Sequence, residues 1–74
     1  MYRDNQGNIY KVMPMIMPGE QVESWKIRWQ RKGGLWWEIV QGTMTYSRRA
    51  DALYALHRMA KRKGWTPSAG EDGS

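Results

Sequence analysis

The sequence predicts an α+β domain: a three- or four-stranded antiparallel sheet packed on one C-terminal helix. Two observations carry that reading. Trp25, Ile27 and Trp29 alternate with Lys26, Arg28 and Gln30, the period-two pattern of a strand with one dry and one wet face. Downstream, Arg49 to Lys63 runs without Gly or Pro and stops at Gly64, with apolar residues at helical spacing. Strands first and a single helix last favour an antiparallel sheet with the helix laid across one face.

The elements follow in order. Asp4-Asn5-Gln6-Gly7-Asn8 is turn-rich, and Ile9-Tyr10-Lys11-Val12-Met13 reads as a first strand. Pro14 has no N–H, so it ends that strand or confines it to a sheet edge. Met15 to Glu20 reads as a loop whose Met15, Ile16 and Met17 cover one end of the core, although Met also suits adaptable binding surfaces. Ser24–Gln30 and Leu35–Val40 form a hairpin. Its register follows from matching faces: a three- or five-residue loop pairs Trp29 with Trp37 and Ile27 with Ile39 inside. Outside, the same register pairs Gln30 with Trp36 and Arg28 with Glu38. Gly34 is the expected left-handed residue of that loop. Gln41-Gly42-Thr43 is a tight connection, and Met44-Thr45-Tyr46 offers a short final strand.

Ser47 stands where a helix N-cap belongs. Leu53, Leu56 and Ala60 form the helix's apolar stripe, flanked by Ala52, Met59 and His57, while Asp51, Ala55, Arg58, Lys61 and Arg62 point away. Gly64 supplies a left-handed stop, and Arg62 and Lys63 suit the negative end of the helix dipole. Trp65 is expected to fold back on the helix end. Residues 1–65 thus form one domain, and 66–74, rich in Pro, Gly, Ser and acids, read as a disordered tail.

At 74 residues with no Cys, the chain has neither disulfides nor thiolate metal ligands to supplement a small core. Five Trp, four Tyr and six Met must supply most of the buried area. No run nears the roughly 20 apolar residues needed to span a bilayer, and the start lacks a signal-peptide pattern. The default expectation is a cytoplasmic monomer that does not engage membranes.

Charge is unevenly distributed. Of twelve basic residues, ten lie between Lys26 and Lys63 against two carboxylates, Glu38 and Asp51, a net +8. That field favours a polyanion or an acidic protein surface. Catalysis needs convergent groups with shifted proton affinities. The single histidine, His57, has no evident partner, and Ser47 reads as a cap rather than a nucleophile. A non-enzymatic binding protein without cofactor or metal is therefore expected. The sheet face away from the helix would display Lys26, Arg28, Gln30, Trp36 and Glu38, with Arg31 and Lys32 at the hairpin tip. Arg48 and Arg58 extend the positive field. Cations neutralise phosphates, Arg and Gln read base edges, and Trp36 can stack on a base. Nucleic acid, DNA first, is the leading partner. The alternative is a protein-binding adaptor or inhibitor, such as a phage or mobile-element protein docking on a host protein. It would use Trp36, the Met/Pro loop and the basic patch.

Trp25-Lys26-Ile27-Arg28-Trp29, then Gly34-Leu35-Trp36-Trp37-Glu38-Ile39, Gly42-Thr43-Met44 and Ala50-Asp51-Ala52-Leu53-Tyr54-Ala55 cover about half the chain. This succession resembles the AP2-type DNA-binding domain and the related amino-terminal arm-binding domains of tyrosine recombinases. The resemblance implies a three-stranded sheet inserted into the major groove, with Lys26, Arg28, Gln30 and Trp36 facing DNA. The family's opening arginine-glycine pattern is missing here, and a Met/Pro loop takes its place.

Overall fold

The computed structural model describes residues 1–16, 19 and 23–68, and among them places one helix against an antiparallel sheet of five strands. The strands are β1 (Tyr2–Arg3), β2 (Ile9–Ile16), β3 (Glu23–Gln30), β4 (Glu38–Ile39) and β5 (Thr66–Pro67); α1 spans Arg49–Lys63. Their spatial order is β4-β3-β2-β1-β5. The α+β class is as the sequence predicts, with two short strands, β1 and β5, beyond those expected.

The long β2–β3 ladder sets the two faces. Tyr10 pairs with Trp29, Val12 with Ile27 and Pro14 with Trp25 on the helix side. Lys11 with Arg28 and Met13 with Lys26 face the other way. Pro14 neither ends β2 nor breaks the ladder. Trp25 spends both its N–H and its C=O on Tyr46, at 2.7 and 2.8 Å, on the side away from β2. Pro14 opposite it therefore belongs to a non-hydrogen-bonded pair, where its missing N–H would have pointed outward. β1, which meets β2 only at Ile9 and Tyr10, has already ended there. Met15 lies on β2 and alternates onto the helix-free face, so it does not cover the core. Met17, Pro18 and Glu20 of the expected loop lie outside the described residues.

Ile27, Leu56, Ala52 and Ala60 are fully or almost fully buried, with Tyr10 beside them. Ala52, Leu56 and Ala60 repeat every four residues along α1, and the two small side chains let the helix approach the sheet closely. Ala55 also packs against the core, contrary to the expected outward direction, and His57 is exposed. The buried stripe is thus rotated from Leu53 toward Met59. Its aromatic end is a stack: the Tyr10 ring lies 3.8 Å from Trp65 and 5.9 Å from Trp29, centroid to centroid, nearly parallel to both. Trp65 folds back as expected, held by its N–H to the Ala60 carbonyl (2.9 Å) beyond the left-handed Gly64.

Three local expectations are corrected. The N-cap is Arg48, whose side chain makes no capping bond; Ser47 is exposed one residue earlier. Thr66–Pro67 pairs with β1, and the Ser68 N–H reaches the Met1 carbonyl at 2.9 Å, so the sheet extends past Trp65. Residues 69–74 lie outside the described part. Tyr46 contributes an isolated bridge to Trp25 rather than a strand.

The largest correction is the register of β4. Arg28 pairs with Ile39 and Trp29 with Glu38, one residue from the expected alignment. The Gly34 N–H bonds the Arg31 carbonyl at 2.7 Å, and Gly33, with φ 75°, is the left-handed residue, as at the third position of a type II turn. Residues 31–37 leave the ladder. Hydrophobic patterning enforces register only where a face is buried. The helix lies over β2 and β3, so burial does not decide β4. Val40, not Ile39, then joins the core with its N–H on the Ile27 carbonyl (3.1 Å).

Candidate nucleic-acid interface

The register of β4 decides what the helix-free face presents. Alternation places Arg3, Lys11, Lys26, Arg28 and Gln30 on it, with Ile9, Met13, Met15 and Ile39. Trp37 joins them, because the Lys11 ammonium sits 4.9 Å from its ring centroid. A cation over an indole face is attracted by the ring quadrupole, at about 0.5–1 kcal/mol when exposed. The contact reaches across β3, from β2 to the residue before β4.

Arg28 is the centre of this face, flanked by Lys11 on β2 and Ile39 on β4. It is half-buried, and its Nε is a buried donor with no hydrogen-bond partner among the described residues. Such a group forfeits roughly 1–3 kcal/mol that an acceptor oxygen would recover in part. The expected Arg28–Glu38 ion pair does not form. Glu38 turns to the helix side and pairs with Arg31 at 3.2 Å, while the Arg31 guanidinium lies 5.1 Å from the Trp29 ring centroid. The strand positions of the free face, among the described residues, therefore hold four cations and no carboxylate.

The other residues expected at the site scatter. Trp36 is in the loop before β4, exposed, and does not share the strand face; Trp37 takes its place. Lys32 is held at the hairpin tip by its N–H to Asn8 Oδ1 at 3.0 Å, and its stem lies against Gly7. Arg31 belongs to the opposite side. Arg48 caps α1, and Arg58 lies on exposed helix surface with its guanidinium 5.8 Å from the Tyr54 ring centroid. The sheet stands between Arg58 and the free face. Lys26, Arg28 and Gln30 are brought together as expected; Arg3, Lys11 and Trp37 were missed. Lys11 was legible, since Tyr10 and Val12 alternate with it in an apolar strand. Arg3 and Trp37 were not, because both depend on pairings that patterning leaves open.

Away from this face, two polar clusters serve the fold. Asp4 accepts from the N–H groups of Gln6 and Asn8, from Asn8 Nδ2 and from Tyr10 Oη, at 2.8–2.9 Å. Burial works against its charge, but these bonds prevail and hold the carboxyl below its usual value. Tyr10 is pushed up to about 12, by burial first and then by the bond to the Asp4 carboxylate. His57 Nδ1 is 2.7 Å from Tyr2 Oη. No cluster of three His, Cys, Asp or Glu able to hold a metal occurs among the described residues, and no helix there is long and apolar enough to cross a membrane. No family model, curated protein or solved structure matches the chain.

Proposed function

We propose that this protein binds nucleic acid, DNA foremost, through the helix-free face of its sheet. The observation that carries the reading is the convergence of Arg3, Lys11, Lys26 and Arg28 around Gln30 on a face that, among the described residues, holds no opposing carboxylate. Cations so placed neutralise phosphates and release counterions. A two-stranded ribbon fits a major groove, where Arg28 can donate to guanine O6 and N7 and Gln30 can bond adenine N6 and N7. Trp37 supplies a flat apolar surface against sugar or an unpaired base once the Lys11 ammonium leaves its ring for a phosphate.

The test is fluorescence anisotropy of a labelled duplex and a labelled single strand. Three phosphate contacts, from Arg3, Lys11 and Lys26, imply that affinity falls about fortyfold between about 50 and 200 mM salt. Arg28→Glu should abolish most binding at the lower salt. Salt-insensitive binding, or an unaffected Arg28→Glu protein, would exclude this face as the interface.

A further inference from the structure

The β4 edge has a different chemistry from the basic face. Five large apolar side chains are strongly exposed among the described residues, and four fall within ten positions: Leu35 (83%), Trp36 (78%), Ile39 (44%) and Met44 (67%). β4 is the terminal strand of the sheet, with a partner on one side only. Ladder alternation fixes which backbone groups are unused. Val40 donates to Ile27 and Glu38 faces Trp29, so the intervening Ile39 points its N–H and C=O at the open edge. An unpaired edge flanked by exposed apolar residues is a template for another strand.

Beside that edge, on the helix side, lies a cleft of about 750 Å³. Tyr10, Trp29 and Trp65 line it together with Val40, Met44 and Met59. Arg31, Arg62 and Lys63 also line it; the single carboxylate there, Glu38, is held by Arg31. The C-terminal end of α1 offsets roughly half a unit of this positive charge, which leaves Arg62 and Lys63 in excess. A strand added to β4 would send alternate side chains over the cleft.

We infer that β4 and this cleft receive an extended peptide of a partner protein by strand addition. Its cleft-facing positions carry apolar or aromatic side chains between acidic ones. The apolar residues meet the Tyr10–Trp29–Trp65 stack, and the acids meet Arg62 and Lys63. Backbone bonds to Ile39 supply register. The cleft lies on the helix side, only the Ile39 edge borders the basic face, and the inference does not rest on nucleic-acid binding.

The probe is the synthetic peptide acetyl-Thr-Glu-Thr-Trp-Thr-Val-Thr-Glu-amide, labelled for anisotropy and compared with an isomer in which Trp and Val are adjacent. The alternating peptide should bind at least about tenfold tighter than the isomer, and should protect the Ile39 amide of the unaltered protein from hydrogen exchange. Ile39→Pro breaks no bond of the β3–β4 ladder, because the Ile39 N–H points outward, and should weaken binding about tenfold. The double variant Arg62→Gln, Lys63→Gln, at exposed positions and without acids in the last helical turn, should do likewise, whereas Arg28→Glu should leave peptide binding unchanged. Equal binding of the two isomers, or an Ile39 amide that exchanges equally fast with and without peptide, overturns the inference.

Discussion

The two faces of one sheet obey different rules. On the helix side, Ile27, Leu56 and the Tyr10–Trp29–Trp65 stack exclude water, and each side chain is constrained by its neighbours. On the free side, Lys11, Lys26 and Arg28 lie over the same β2–β3 backbone but remain half-exposed, and one donor of Arg28 has no hydrogen-bond partner among the described residues. Under the proposed function, the same ladder separates stability from recognition. Substitutions on one face should cost folding, and those on the other should cost binding.

The largest effect is expected from Ile27→Ala. A buried Ile to Ala change costs about 2–5 kcal/mol, comparable with the whole stability of a domain this small. Urea unfolding followed by circular dichroism should show loss of most or all of the folded baseline. Arg28→Glu is the counterpart across the sheet. Its stability should stay within about 1 kcal/mol of the parent while oligonucleotide affinity falls more than about tenfold. A strongly destabilised Arg28→Glu protein would blur the division.

Smaller changes sharpen it further. Lys26→Ala should reduce the slope of log affinity against log salt by about 1, with little change in thermal unfolding. The Asp4–Tyr10 bond predicts a pH profile with two edges. The depressed Asp4 carboxyl contributes stability above its ordinary value of 3.8, lost as pH falls through its lower folded value. The raised Tyr10 phenol contributes below 10, and that stability is lost as pH climbs from 10 toward about 12. Asp4→Asn should therefore flatten the acid limb of the unfolding midpoint. Ser47→Ala should change stability least, within about 0.5 kcal/mol, because α1 is capped at Arg48 without a side-chain bond.

The legible part of the fold is the part where burial is one-sided and long. The alternation around Ile27 and the uninterrupted run from Arg49 to Gly64 located β3 and α1. Leu35–Val40 defeated the same logic, because both of its faces carry a Trp and an aliphatic residue. Either alignment satisfies the pattern, and β4 lies beyond the helix that would have chosen between them. β1 and β5 were illegible for a related reason. Two-residue strands carry no period, and pairing Tyr2 with both Tyr10 and Pro67 is a tertiary event. For the candidate interface, Lys26, Arg28 and Gln30 followed from a single strand, whereas replacing Trp36 by Trp37 required the true register.

The indole N–H signals offer the most direct measurement, since Trp37 reports the free face while Trp29 and Trp65 report the helix side. In a nitrogen-proton correlation titration with a short DNA duplex, Trp37 and the amides of Lys26 and Arg28 should shift saturably while Trp29 and Trp65 hold still. Shifts confined to Arg58 through Lys63, with Trp37 unmoved, would contradict the account.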